Sequence, residues 1–203
     1  MITILRNNSV FFISALLSIL AGLILQLVLE KGELVLILDG MHSPGLNTFF
    51  MITTLMGEYL GVLLVLVFLF FTSKHFIPLY LVTLLMTLLV SQGLKRFVFE
   101  HENRPSYTYQ HLEKIEGLEH HKHNSFPSGH TSTAFAIFTI LAIACPQKGV
   151  PFLAAILAVL VGISRVYLGQ HYLSDVVTGA IIGLFISVWV VYFYALYGQK
   201  KNG

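Results

Sequence analysis

The sequence predicts an all-α, polytopic membrane protein: six transmembrane helices in one bundle, with a polar loop between the third and fourth helices. Composition and the spacing of apolar residues both indicate this class. Hydrophobic residues make up 56% of the 203 residues and charged residues 11%, whereas soluble domains are about 25% charged. The mean hydropathy is +0.78. The apolar residues also occur in runs as long as a membrane span, which needs about 20 residues.

Six apolar runs are candidates for spanning helices. They cover residues 10–29, 49–71, 76–94, 130–145, 151–168 and 172–197. The first run follows Arg6, but it is longer than the apolar region of a signal peptide and no cleavage site of small residues follows it. We therefore interpret it as a retained helix. No repeat or linker divides the chain, which predicts a single domain over residues 1–203.

The polar segments between these runs differ in length. Segment 32–47 (GELVLILDGMHSPGLN) is too short to span and predicts an amphipathic turn in the membrane interface. Segment 95–129 is the one long polar loop. Two predicted helices separate this loop from residues 164–175, and two crossings return a chain to the side that it left. The loop and residues 164–175 therefore share one face of the membrane.

The charges indicate an orientation and exclude one class of partner. Acidic residues lie almost entirely on the loop face, and the lysines and arginines weakly favour both termini in the cytoplasm. We expect a multi-pass protein of a bacterial cytoplasmic membrane, with the loop outside. The net charge is +2 and the basic residues are scattered, whereas nucleic-acid binding needs a clustered basic face. The single cysteine, Cys145, excludes an intramolecular disulfide.

Three polar clusters lie on the loop face: residues 95–105 (KRFVFEHENRP), 126–132 (FPSGHTS) and 164–175 (SRVYLGQHYLSD). In the second cluster, Ser128 and Gly129 precede a helix that we expect to begin near His130. A helix N-terminus presents free N–H groups and binds anions. Serine before a helix is also an ordinary N-cap, so both interpretations stay open.

The third cluster places Asp175 one helical turn after His171. The carboxylate is suited to accept from one imidazole nitrogen and so leave the other free for attack or for metal binding. Arg165 offers a planar fork that fits phosphate, and Gly169 permits the chain to reverse. The alternative is an ion pair between Arg165 and Asp175 that locks two helices together.

The first cluster contributes the cations Lys95, Arg96 and Arg104, which alternatively anchor the chain at the lipid headgroups. Taken together, the clusters supply two histidines, several cations, a hydroxyl and a helix N-terminus. This set fits attack on a phosphoryl group, because catalysis of that reaction depends on positioning and on stabilising negative charge. One histidine is then the neutral nucleophile and the other the protonated acid.

The clusters resemble the signature of the type 2 phosphatidic acid phosphatase (PAP2) superfamily, which also includes vanadium haloperoxidases. The family pattern is Lys-x6-Arg-Pro, then Pro-Ser-Gly-His, then Ser-Arg-x5-His-x3-Asp. Residues 127–130 match the second element, and Ser164, Arg165, His171 and Asp175 match the third. The first element departs from the family pattern, because eight residues rather than six separate Lys95 from Arg104. Either two extra residues bulge at the end of the third helix, or Arg96 replaces Lys95.

The resemblance implies a lipid phosphatase that needs no metal or cofactor. It implies that His171 is the nucleophile that forms a phosphohistidine, that Asp175 orients it, and that His130 is the general acid. The phosphate would be held by Lys95, Arg104, Ser128, Gly129 and Arg165. The substrate would be a lipid phosphate that reaches the site from the bilayer. Phosphatidic acid, phosphatidylglycerophosphate, a polyprenyl diphosphate and a lipid A phosphate all fit.

Three alternatives stay open. A lipid phosphotransferase would use the same phosphohistidine with an acceptor other than water. A channel or transporter would carry ionisable residues within several helices, and Glu58 alone fits that description. The histidine-rich stretch 111–123 is either a metal site or a solvated part of the loop, and its spacing matches no recognised ligand pattern. The sequence carries no sign of the oligomeric state.

Overall fold

The computed structural model describes residues 6–119, 121–147 and 149–200. Over these ranges the chain forms nine α-helices and no strand, which confirms the all-α class. The helices are α1 (Ser9–Val28), α2 (Glu33–Asp39), α3 (Pro44–Leu55), α4 (Tyr59–Thr72), α5 (Ile77–Gly93), α6 (Pro105–Thr108), α7 (Gly129–Ala144), α8 (Val150–Tyr167) and α9 (Leu173–Lys200).

Four stretches are long and apolar enough to cross a membrane: α1, residues Lys74–Val98 around α5, α8, and Leu173–Leu196 of α9. Helices α3 and α4 form a fifth if they count as one broken span. The helix α7 is apolar but has only 16 residues. The protein is thus an integral, multi-pass membrane protein, and the count of six spans stays a prediction.

The second predicted helix, residues 49–71, is not one straight helix. It begins earlier, at Pro44, and α3 and α4 meet at an angle of 54° across residues 56–58. Gly61 permits the bend, because a Cβ atom there would lie 1.9 Å from the carbonyl oxygen of Met56. The apolar run hid this break, since every residue on either side of it suits a membrane helix.

Helix α7 lies at the centre of the bundle, and most of its residues are buried. It packs directly on α9, where two glycines let the backbones touch. A Cβ atom would lie 2.6 Å from the oxygen of Ser128 at Gly179, and 2.2 Å from the oxygen of Ser132 at Gly183. Small residues serve this purpose in membrane helix pairs. The contact fixes the N-terminus of α7 beside the first turns of α9.

The segments between the helices pack over one end of the bundle. Helix α2, in the segment predicted as an amphipathic turn, buries Val35 against Val166 and Tyr172. The polar loop is tied to the turn between α8 and α9, because the N–H group of Ser106 donates to the oxygen of Gly169 at 3.1 Å. The loop and residues 164–175 therefore lie together, as the even number of crossings predicted.

Candidate active site

The three polar clusters meet at this end of the bundle. Nη1 of Arg104 donates to both the backbone oxygen and Oε1 of Gln170, at 3.3 and 3.1 Å. The N–H group of Ser128 donates to the backbone oxygen of Asp175 at 3.0 Å. A cavity of about 790 Å³ opens beside them. Of the predicted site residues, it is lined by Lys95, Arg104, Gly129, His130 and Arg165.

His171 and Asp175 form a buried pair at the start of α9. Nδ1 of His171 lies 3.3 Å from Oδ2 of Asp175, and both residues are almost inaccessible to solvent. The same oxygen accepts from Oγ of Ser125 at 2.5 Å and from the N–H group of Tyr172 at 3.0 Å. Several donors thus hold the carboxylate, which in turn fixes the orientation of the imidazole.

The surroundings of His171 favour its neutral form. Burial lowers the pKa of the imidazole well below 6.5, and the positive charges of Arg165, Arg104 and Lys95 lower it further. A neutral imidazole has one nitrogen with a free lone pair, as a nucleophile requires. The N–H group of His171 donates to the backbone oxygen of Arg165 at 3.1 Å, so His171 lies next to a residue that lines the cavity.

Three cations in the site are buried: Lys95, Arg104 and Arg165. Within the described parts of the chain, none has a carboxylate oxygen within 4.0 Å. Nη1 of Arg165 donates to Oγ1 of Thr54 at 2.7 Å, while its buried Nε has no hydrogen-bond partner among the residues that the structure describes. The alternative of a locking ion pair between Arg165 and Asp175 is thus not what the structure shows. Buried charges are costly unless they are paired, and an anion in the cavity would pair with these three.

The structure distinguishes Lys95 from Arg96. The chain forms a π-helical turn over Leu94–Val98, which takes up additional residues at the end of α5. Lys95 is buried there, and its Nζ donates to the oxygen of Asn124 at 3.2 Å. Arg96 is exposed. Of the two alternatives, the π-helical turn agrees with a bulge at the end of the third predicted helix, and Lys95 rather than Arg96 lines the cavity.

Ser128 is the N-cap of α7. Its hydroxyl contacts Oγ1 of Thr131 at 2.9 Å, the residue is fully buried, and it does not line the cavity. Gly129 and His130 do line it. The nearby motif residue Ser164 is also fully buried and donates to the oxygen of Val161 at 2.6 Å. The serines of the site thus support the helix ends, whereas Gly129 and His130 face the space for a ligand.

Sequence reasoning missed several residues of the site. Glu58, at the break between α3 and α4, hydrogen-bonds to Nε2 of His130. Its signal was a lone carboxylate inside an apolar run, which is a functional candidate by default. Thr54, Ser125 and Gln170 also contact site residues, but their side chains are too common in loops and helices to be singled out.

The histidine-rich stretch closes part of the cavity, which Gly117, Leu118, Glu119 and His121 help to line. Nε2 of His121 lies 4.0 Å from Oε2 of Glu119. His120 lies outside the described residues. Among the residues that are described, no group of three histidine, cysteine, aspartate or glutamate side chains is arranged to hold a metal ion.

Known proteins are similar to this chain in part of their sequence and in their fold. Phosphatidylglycerophosphatase B of Bacillus subtilis is 40% identical over 78 residues, or 34% of this chain and 38% of that protein. Lipid A 1-phosphatase of Rhizobium etli is 39% identical over 79 residues, or 39% of this chain and 33% of that protein. The chain thus matches little more than a third of the length of these curated relatives. The crystal structure of Aquifex aeolicus LpxE matches with a TM-score of 0.70 at 27% identity, covering 81% of this chain and 96% of that one.

The family comparison covers most of the bundle. The model of the PAP2 superfamily matches residues 76–198, from the start of α5 to the last turns of α9. That range includes all three clusters, whereas the part of the cavity that α3 and α4 line lies outside it. The chain belongs to the PAP2 superfamily.

Proposed function

We propose that the protein is a membrane lipid phosphatase that removes phosphate from a phosphomonoester or diphosphate through a phosphohistidine at His171. One observation carries this proposal: three buried cations face a cavity without a carboxylate partner among the described residues. A phosphoryl group supplies the missing negative charge. Guanidinium groups bind phosphate oxygens especially well because two N–H groups match two oxygens.

The apolar part of the cavity lining suits a lipid. It is formed by Val62 of α4 and by Leu84, Leu85 and Leu88 of α5, and the last two are more than half exposed at the outer surface of the bundle. Leu88 precedes Lys95 by seven residues, which places it about 10 Å deeper along the helix. A phosphate held by the cations would therefore leave its lipid chain on an apolar surface that faces the bilayer.

The reaction follows from the arrangement of the nitrogens. The free nitrogen of His171 attacks phosphorus, and the bond from phosphorus to the lipid oxygen breaks. His130 gives that oxygen a proton, and the lysine and arginines stabilise the charge on the phosphoryl oxygens. Water then attacks the phosphohistidine, with His130 as the base that takes its proton. Every proton transfer is assigned to a side chain of this protein, and we propose that the reaction needs no metal ion.

We further propose that the cavity opens outside a bacterial cytoplasmic membrane and that both termini lie inside. The weak charge bias supports this orientation. Single cysteines at Glu116 in the loop and at Lys74 between α4 and α5, each introduced together with Cys145→Ala, test it. In intact cells, a membrane-impermeant maleimide should label the first and not the second; the reverse pattern would overturn the orientation.

Phosphate release from lipid phosphates tests the activity. The names of the relatives make phosphatidylglycerophosphate and lipid A 1-phosphate the first substrates to try, followed by phosphatidic acid and a polyprenyl diphosphate. We expect the purified protein to release phosphate from at least one of them in the presence of EDTA, and the His171→Ala variant to release none. Full activity in that variant, or loss of activity with the chelator, would contradict the proposal.

A further inference from the structure

A carboxylate outside the three polar clusters contacts the histidine that we assign as the acid. Glu58 hydrogen-bonds through Oε1 to Nε2 of His130. Both residues line the cavity, with 37% of the Glu58 side chain and 23% of the His130 side chain exposed. The two residues are 72 positions apart, so the fold alone brings them together. Nδ1 of His130 makes no hydrogen bond to any described residue, which leaves it free for a ligand.

The break between α3 and α4 holds Glu58 in this place. The preceding residue, Gly57, packs against the start of α7, and a Cβ atom there would lie 2.7 Å from both the oxygen of His130 and Cγ1 of Val161. The N–H group of Glu58 donates to the oxygen of Leu55 at 3.1 Å, and its own oxygen accepts from Val62 at 3.1 Å. The kink thus sets the glutamate backbone at a fixed height beside the imidazole.

The charges around His130 explain why a carboxylate is needed there. The other ionisable groups that act on it are Arg165 and Lys95, both cationic, and the neighbouring His171. An acid catalyst must carry a proton before the leaving oxygen arrives, and in His130 burial opposes that protonation most, followed by the cations. Glu58 supplies the opposing charge, and it is the only carboxylate among the described residues that bonds to His130.

We propose that Glu58 is a positioning residue for the acid step: its carboxylate stabilises the protonated form of His130 against burial and the nearby cations, and it aims Nδ1 at the leaving oxygen. This inference rests on the proposed phosphatase function. In the step, His171 forms its bond to phosphorus and the bond from phosphorus to the leaving oxygen breaks. The proton on Nδ1 of His130 moves to that oxygen, while the proton on Nε2 stays in the hydrogen bond to Glu58. His130 ends the step neutral and ready to accept a proton from water.

Substrates that differ in leaving group separate this role from a structural one. An alkoxide leaving from a lipid phosphate needs the proton, whereas the nitrophenolate that leaves from p-nitrophenyl phosphate does not. For Glu58→Gln we expect kcat on the lipid phosphate to fall on the order of 10²-fold, within the range of general acid catalysis. We expect kcat on p-nitrophenyl phosphate to change by less than about threefold, and this retained activity also shows that the variant is folded.

Two further variants test whether the effect depends on the negative charge and on the position of Glu58. Glu58→Asp keeps the charge and should recover part of the loss on the lipid phosphate. Glu116→Gln is the control, since Glu116 is an exposed carboxylate of the same loop that does not line this cavity, and we expect wild-type kcat for both substrates. Equal losses on both substrates, or no loss on either, would overturn the positioning role. A lower KM with unchanged kcat would also overturn it, because the carboxylate would then only compete with the substrate.

The proposed function fails separately from this inference. If wild-type protein and His171→Ala have the same activity on both substrates, the phosphatase assignment is wrong. If His171→Ala is inactive on both while Glu58→Gln shows no dependence on the leaving group, only the role of Glu58 is wrong.

Discussion

Nδ1 of His171 lies 3.3 Å from Oδ2 of Asp175, and the two side chains are 1% and 3% exposed. This pair follows from helix geometry, because residues four positions apart lie on one face. The carboxylate lies on one side of the imidazole and thereby fixes the orientation of the ring.

The Asp175→Asn variant tests this orientation. An amide of nearly equal size keeps the packing but no longer accepts strongly from Nδ1, so the wrong nitrogen of His171 carries the proton for part of the time. We expect kcat to fall on the order of 10³-fold, as in other histidines that lose an orienting carboxylate. Steady-state kinetics measure the effect, and thermal unfolding checks the fold. Retention of more than a tenth of wild-type kcat would contradict the orienting role.

Lys95→Ala and Arg96→Ala compare two adjacent cations with opposite exposure. Lys95 is buried against the cavity and Arg96 is exposed. Loss of a charge-assisted hydrogen bond costs about 1.5–3 kcal/mol, so we expect kcat/KM to fall about 10- to 100-fold for Lys95→Ala. We expect a change of less than about twofold for Arg96→Ala, as for a solvated surface charge. A larger loss of kcat/KM for Arg96→Ala than for Lys95→Ala would show that Arg96, not Lys95, binds the phosphate.

The acid limb of the pH profile reports on His171. Burial and the neighbouring cations lower its pKa well below 6.5, so the nucleophile stays neutral and active below that pH. Arg104 is one of those cations, and its removal in Arg104→Gln should raise the pKa of His171. We therefore expect the limb of kcat/KM to move to higher pH in this variant, on the same substrate. An unchanged limb would show that another group, or the substrate itself, sets it.

The same shift has a consequence for stability. A histidine whose pKa is lower in the folded state stays neutral while the unfolded chain binds a proton, so folding loses stability as the pH falls below 6.5. The loss is up to about 1.4 kcal/mol for each pH unit.

Gly183→Ala tests the contact that positions the start of α7. A Cβ atom at this position would lie 2.2 Å from the oxygen of Ser132, which forces α7 and α9 apart. Overpacking of this kind costs about 1–3 kcal/mol, so we expect a lower melting temperature in detergent and reduced activity. Gly45→Ala is the control, because no atom lies within 4 Å of the added group. Equal melting temperatures for the two variants would contradict the close packing.

Much of the arrangement could be predicted from sequence. Helix ends depend on local residues, and the number of apolar runs between two segments tells whether they lie on the same side of the membrane. Six apolar runs placed the long loop and residues 164–175 on one face, and the structure joins them through Arg104 and Gln170. The class of fold and the family are confirmed. The roles of His171, His130 and the phosphate-binding residues stay predictions.

The remaining features depend on contacts that no local pattern encodes. The kink at residues 56–58 arises where Gly57 packs on His130, in a run whose one charged residue is Glu58. The choice of Lys95 over Arg96 depends on a π-helical turn. The hydroxyl of Ser128 contacts Thr131 rather than the cavity, a difference of side-chain direction that composition and spacing do not reveal.

Trapping the phosphoryl enzyme tests the central claim most directly. Purified protein is mixed for milliseconds with a lipid phosphate that carries ³²P, quenched in alkali and digested. We predict a label that is stable to alkali and labile to acid, on the peptide that contains His171 and absent from His171→Gln. A label on another residue, or turnover by His171→Gln at the wild-type rate, would contradict the account.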